Sequence, residues 1–286
     1  GQAHRQEVSR LMKKVLPKIL KHMVLLILLF FALYPVFMVV SNSLKTQAEL
    51  YKNTLGLPQT PQFQNYAEAI RSGKLGNAFF VTLLLTVISV VLITILGSFA
   101  AFALSRRRRT RSGKLLYQLM ILGMMIPYQV SMFQLYRLMD KLHLINHLYG
   151  LVFVYIAWGL PLTVYLMYGF MCNIPNEIIE AAKIDGCSLW HLYRRIVMPL
   201  SSTVVASSVI FNLVFVWNDL NFPMILIDDP KLKTLSNALL SFRGQYSSQY
   251  TLLFAGVVLA SIPLVTVFLL LQKKFTAGMM AGSVKG

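Results

Sequence analysis

Six long stretches of this chain contain no charged side chain: residues 23–40, 78–104, 115–136, 148–172, 196–218 and 251–271. A membrane-crossing helix needs about 20 mostly apolar residues, and hydrocarbon offers no partner for an open backbone. The runs are continuous apolar blocks, without the alternation of a β-barrel strand. The expectation is an all-α integral membrane protein with six transmembrane helices at about 23–43, 78–104, 115–136, 148–172, 196–227 and 251–272. The first run is basic-flanked, as a signal peptide is. It is longer than a signal core and no small-x-small site follows, so it reads as a retained anchor.

Composition agrees. Of 286 residues, 56% are hydrophobic and 13% charged, against about a quarter charged in soluble domains. The net charge of +17 suggests nucleic acid at first. The basic residues instead sit at the ends of apolar runs, where membrane proteins place them, so no nucleic-acid partner is expected. With the N-terminus inside, the inner segments hold 18 Lys and Arg and the outer ones 9. That bias predicts both termini in the cytoplasm, with "RRRRTR" at 106–111 as a topology anchor. Pro35, Pro127, Pro161 and Pro263 interrupt the runs. "WGLPL" at 158–162 is the most disruptive, and reads either as packing geometry or as a cavity-lining break.

The runs carry no interior charge, which leaves an ion-driven pump little to work with. No phosphate-binding loop of the G-x-x-x-x-G-K-[ST] type is present. The five histidines lie outside the spans, and Cys172 and Cys187 have neither disulfide nor metal spacing. The chain therefore reads as a transporter that is no enzyme itself, with no cofactor or metal of its own. Any ATP and Mg belong to partner subunits.

One polar stretch interrupts the pattern: "IPNEIIEAAKIDGCSLWHLYRRIVMPL", 174–200. Asn173 or Asn176 can cap a helix, Pro175 suits its first turn and Glu177 its positive end. Gly186 fits a left-handed stop, and Ser188 opens a second, amphipathic piece. Residues 173–199 are expected to form a two-helix cytoplasmic loop. Ala181 and Ala182 would leave one of its surfaces bare enough for another protein.

Glu180-Ala181-Ala182, three residues, Gly186, nine residues, Ile196, one residue, then Met198-Pro199 resembles the "EAA" signature of membrane subunits of bacterial ABC importers. "FVWNDLNFPMIL" at 215–226 and "TAGMMAGSVKG" at 276–286 resemble the maltose-type carbohydrate branch. The resemblance covers essentially the whole chain, taken as one permease domain. It implies a type I ABC importer permease fold in the bacterial cytoplasmic membrane. It also implies a second permease subunit, two ATP-binding subunits and an extracytoplasmic solute-binding protein, importing a carbohydrate by alternating access.

Glu180, Ala181, Ala182, Asp185 and Gly186 would then couple to the ATPase, with Gly282 and Lys285 placing the tail against it. Arg243, Gly244, Gln245 and Tyr246, in the outer loop 228–250, would touch the binding protein. Sugars are held by aromatic faces and amides. Tyr155, Trp158, Asn212, Trp217, Asn218 and Asn221 supply those groups for a substrate path, although Trp and Tyr also form interfacial belts. Two other readings stand beside this one: an importer for another solute, such as glycerol phosphate, an amino acid or an anion, and a non-transporting sensory or assembly subunit.

Overall fold

A computed structural model describes residues 2–244 and 248–283, with side chains for 17–244 and 248–272. Among these residues there is no sheet, only an isolated antiparallel bridge between Arg243 and Ser248. Helices follow in the order α1 Gln2–Ser43, α2 Gln47–Lys52, α3 Gln64–Ser72, α4 Leu75–Arg106, α5 Arg111–Met125, α6 Tyr128–Lys141 and α7 Leu148–Cys172. Then come α8 Asn176–Ile184, α9 Leu189–His191, a wide π-type stretch Leu192–Val197 and α10 Met198–Leu200. The last are α11 Ser202–Asn218, α12 Asn221–Leu226, α13 Leu235–Leu239 and α14 Tyr250–Ser283.

Among the described residues, four helices are long and apolar enough to cross a membrane: 17–43, 75–106, 148–171 and 250–272. Two bent pairs, 111–125 with 128–141 (99°) and 189–200 with 202–218 (78°), make six if each pair is one crossing. The run 115–136 is thus cut at Ile126–Pro127. Ile126 is extended there (φ −83°, ψ 117°), because the ring of a following proline disfavours the helical region. The run 196–227 is also interrupted, since α11 stops at Asn218 and a new turn starts at Asn221. Pro161 does not break α7, which runs unbroken through "WGLPL", so the packing alternative holds there.

The chain divides into two compact units, residues 1–70 with 242–259 and residues 71–241 with 260–286. In the first unit, the apolar window of α1 buries nothing within the chain, and its outward side chains include Phe30, Phe31 and Phe37. After α1 the chain wraps Lys45, which is fully buried. Its Nζ donates to Asn42 Oδ1 (2.8 Å) and to the carbonyl of Asn53 (2.7 Å). Burial lowers the pKa of this ammonium, against the opposing pull of Glu49. Asn65 Nδ2 donates to the carbonyls of Ser43 and Lys45, tying α3 to the same turn.

The second unit is built on α4, α7 and α11. Where α4 crosses α7, a Cβ on Gly97 would lie 2.3 Å from Thr163 Cγ2. A Cβ on Gly159 would lie 2.6 Å from Asn212 Oδ1. Small residues let helix backbones approach where lipid supplies no hydrophobic drive between helices. The closeness lets a buried polar thread form: Ser208 Oγ donates to Thr163 Oγ1 (3.1 Å), and Asn212 Nδ2 donates to the same oxygen (2.9 Å). One apolar cluster sits around Tyr155, Phe222 and Leu226. A second sits around Phe102, Met167, Ile179, Leu192 and Tyr193.

Gly97→Ala is expected to lower the stability of the purified protein by about 1–3 kcal/mol, because Thr163 is held by two hydrogen bonds and cannot yield. Gly169→Ala, with nothing within 4 Å of a new Cβ, is expected to be neutral. Thermal melting in detergent compares the two, and equal melting temperatures would refute the tight crossing.

Candidate functional site: an elbow clamped to α4 and α7

The polar stretch folds as its local chemistry dictates. Pro175 takes the cap position of α8 without a side-chain cap bond, in place of the capping asparagine expected. Glu177 lies in the first turn, at the positive helix end. The helix ends in a full Schellman turn: Gly186 N–H donates to the carbonyl of Lys183 (3.0 Å) and Cys187 N–H to that of Ala182 (2.9 Å). Gly186 has φ +75°, as expected, with open space where a Cβ would go. Ser188 Oγ then accepts from His191 N–H (3.3 Å) and starts α9.

Clamping to the bundle is done by aromatic rings. Tyr193 stacks on Phe99 (4.7 Å) and lies against Phe102 (5.4 Å), both on α4. Its hydroxyl bonds Ser98 Oγ (2.7 Å) inside the protein. Trp190 stacks on Tyr193 (5.6 Å) and Phe99 (5.9 Å). Ile179 and Ala182, three apart on α8, are buried among Phe102, Met167, Met171 and Leu192. Arg106 Nη2 donates to the carbonyl of Met171 (3.0 Å), and Arg108 Nη1 donates to that of Cys172. These two arginines therefore cap the C-terminal end of α7, a structural role beyond the topology anchor read from the sequence.

The expected bare alanine surface needs correction. Ala182 faces inward and cannot seat a partner. Ala181, Glu180, Asp185 and Gly186 are exposed. The outer surface is more apolar than the alanines alone suggested: Ile184 is 86% exposed, Leu189 66% and Trp190 53%. A groove of about 290 Å³ beside α8 is lined by Glu180, Lys183, Arg109 and Asn176, among others. For Ile184, the sequence signal was its position opposite Ile179 and Ala182 on α8.

The residues named for a substrate path differ in burial within the chain. Tyr155 is fully buried and its hydroxyl donates to Asp219 Oδ2 (2.9 Å). Asn212 belongs to the polar thread. Trp217 is buried, with Nε1 donating to the carbonyl of Ala260 (3.0 Å) and its ring against Phe79 (5.8 Å). All three make hydrogen bonds within the chain. Asn218 is exposed, while Asn221 and Trp158 are half-buried. Tyr128, just past the break at Pro127, joins the last two: its hydroxyl accepts from Asn221 Nδ2 (2.8 Å), and its ring lies 5.3 Å from that of Trp158.

Asp219 was missed. It is buried directly after α11 and accepts from the backbone N–H groups of Asn221 (3.1 Å) and Phe222 (3.2 Å) as well as from Tyr155. The aspartate of "WND" thus caps the turn into α12. Arg243 and Gly244 are exposed, Gln245 and Tyr246 lie outside the described residues, Gly282 falls within α14 and Lys285 lies outside the described residues.

A polytopic helical membrane protein with a structured elbow locked to its spans is the class these features define. The chain belongs to the family described as binding-protein-dependent transport system inner membrane component, matched over residues 93–280. It is 36% identical over 251 residues to the probable starch degradation products transport system permease protein AmyC of Thermoanaerobacterium thermosulfurigenes, covering 88% of this chain and 91% of that one. It is 37% identical over 253 residues to the melibiose/raffinose/stachyose import permease protein MelC of Bacillus subtilis (strain 168), covering 88% and 91%. In fold it is similar to a chain in the crystal structure of a bacterial ABC transporter involved in the import of the acidic polysaccharide alginate. That likeness has a TM-score of 0.79 at 22% identity, over 92% of this chain and 98% of the other.

Tyr193→Phe is expected to cost about 1 kcal/mol by deleting a buried hydrogen bond, and Gly186→Ala about 1 kcal/mol by forcing a side chain into left-handed backbone. Both variants should insert normally in the membrane and melt a few degrees lower. Unchanged melting of both would show that the elbow is not clamped as described.

Proposed function

We propose that this chain is a membrane-spanning permease subunit of an ATP-driven importer for a carbohydrate, an oligosaccharide above all, with α8 as the element that couples it to a partner ATPase. The observation that carries the reading is the construction of the elbow. A short helix presents Glu180, Ala181 and Ile184 outward while its other side is fixed by Ile179, Ala182 and Tyr193 to α4 and α7. A push on the outer side therefore moves two long helices, which a flexible connector would not do. The sugar-importer names of the relatives support the substrate class.

In this reading a second permease, two ATP-binding subunits and an extracytoplasmic solute-binding protein complete the complex, and ATP and Mg are used on the ATP-binding subunits. The elbow and both termini face the cytoplasm, following the basic bias of 18 to 9. ATP and the loaded binding protein each favour an outward-open state, and hydrolysis returns the pair inward. Moving such an equilibrium from one side nearly wholly to the other takes about 5.5 kcal/mol of differential binding.

The two alanines separate docking from folding. In the reconstituted complex, Ala181→Trp is expected to abolish sugar uptake and binding-protein-stimulated ATPase activity while leaving melting unchanged. Ala182→Leu is expected to cost about 1–3 kcal/mol of stability by overpacking the inner cluster. Full uptake by Ala181→Trp would sink the coupling role. ATP hydrolysis without sugar movement in the unaltered complex would favour a sensory subunit instead.

A further inference from the structure

Beside the first turn of α4 the second unit holds a cleft of about 490 Å³, within the range of about 300–1,000 Å³ usual for small-molecule sites. Its walls come from the turn before α4, the loop after α12, and α13. The cleft sits where α4 enters the apolar phase. The uncharged run of α4 starts at Ala78, the ring of Phe80 is exposed, and Met224 on the cleft wall is 51% exposed. Side chains of this kind at the end of a span mark the level at which lipid headgroups give way to acyl chains.

The rim is cationic. It carries Lys74 and Lys233, both exposed, against a single carboxylate, Asp228. Arg71 and Lys231, also exposed, stand next to lining residues and add two further cations. Lys74 occupies the cap position of α4 in left-handed backbone (φ 49°) and makes no side-chain cap, and no acidic residue lies in the first turn. The first N–H groups of a helix lack partners within it, and here neither a cap nor a carboxylate offsets the positive end. Phosphate is an anion that such helix ends hold. Asn77 fixes the wall by donating from Nδ2 to the carbonyl of Lys231 (2.7 Å).

The floor requires a different group. Asn237 lines the cleft, is 8% exposed, and its Oδ1 has no hydrogen-bond partner. A buried acceptor left unpaired is unfavourable unless something donates to it. An ionised phosphodiester satisfies the rim but brings no donor to the floor; a neighbouring hydroxyl supplies one. A glycerophosphate group has both. Joined to acyl chains, it is the headgroup of phosphatidylglycerol, whose chains can lie over Met224 and the exposed apolar side of α4. We propose that the cleft is a binding site for this headgroup, with the phosphate at the Lys74–Lys233 rim and a glycerol hydroxyl donating to Asn237 Oδ1. Soluble glycerol phosphate carries the same groups, and the position of the cleft at the edge of the apolar phase favours the lipid. The site requires only that α4 crosses a bilayer, so it stands apart from the importer reading.

The purified full-length chain in an uncharged detergent tests it, with retained lipid counted by native mass spectrometry and binding followed by melting temperature. One phosphatidylglycerol is expected to be retained and to raise melting by a few degrees, and phosphatidylcholine at the same concentration is not. Lys74→Gln with Lys233→Gln is expected to weaken phosphatidylglycerol binding at least about tenfold and to flatten its salt dependence. Both lysines are exposed, so this variant should keep its lipid-free melting temperature. Asn237→Leu is expected to weaken phosphatidylglycerol about fivefold, the loss of one hydrogen bond, and to leave phosphatidic acid, which has no glycerol hydroxyl to offer, unchanged.

Unchanged phosphatidylglycerol binding in the lysine variant overturns the site. An equal loss in Arg111→Gln with Lys114→Gln does so too, because those residues are exposed on α5, outside the cleft, and the attraction would then be unselective. Soluble glycerol phosphate that binds as tightly as the lipid, with the same dependence on Lys74 and Lys233, makes the cleft a solute site and overturns the lipid proposal.

Discussion

The contact on which the working of this chain depends is the seat of Tyr193. Its ring stacks on Phe99, lies against Phe102 and supports Trp190, while its hydroxyl is paired with Ser98 inside the protein. Aromatic pairs of this kind contribute about 0.5–1.5 kcal/mol beyond their buried area. The stacking on Phe99 and Phe102, the buried hydrogen bond and the burial of Ile179, Ala182 and Leu192 in the cluster around Phe102 together hold a polar elbow against α4. Without that seat, α8 would be a short helix on a tether. Isolated helices of nine residues are marginal in water, so tertiary packing gives α8 its definition.

Rigidity at the seat matters only if the helices beneath it are equally well joined. Gly97 and Gly159 bring α4, α7 and α11 close enough for Thr163, Ser208 and Asn212 to share hydrogen bonds. Each bond within a membrane contributes modestly, about 0.6 kcal/mol on average where measured. Their effect here is to fix register: two groups of α11 share one threonine oxygen of α7, and Gly97 packs α4 against the same threonine. Asn212, one of the residues named for a substrate path, takes part in this join.

What was legible in the sequence was what local chemistry decides. The stop at Gly186 and the cap at Ser188 depend on backbone angles and neighbours within a few residues, and both appear where expected. The six apolar runs are visible because hydrocarbon imposes length and composition directly. The inward turn of Ala182, Tyr155 and Trp217 depends on helices distant in sequence, and no spacing rule reports it. The two prolines make the contrast concrete. Pro161 lies beside Gly159, looks the stronger breaker, and stays helical because Gly159 is occupied in packing. Pro127 has no such support, and its neighbour Ile126 turns out of the helix. Lys45 was invisible for a similar reason, since its partners beyond Asn42 are carbonyls that only the folded turn presents.

α4 connects these findings. One end carries the seat of the elbow and Arg106, which caps α7; the other carries Lys74 and the wall of the cleft. A single helix transmits force between its ends only if neither end can relax alone. Towards the elbow, α4 is pinned by Tyr193 at Ser98 and Phe99 and, at the adjoining Gly97, by Thr163. At the far end Asn77 donates to Lys231, and Thr82 Oγ1 accepts from Leu235 N–H (2.7 Å), which fixes the loop that forms the cleft. The helix is thus tied near both ends to neighbouring elements of the chain. A two-state transporter needs that arrangement, because a ligand shifts an equilibrium only by its difference in affinity for the two states. A soft connection anywhere along α4 would dissipate that difference before it reached the other face.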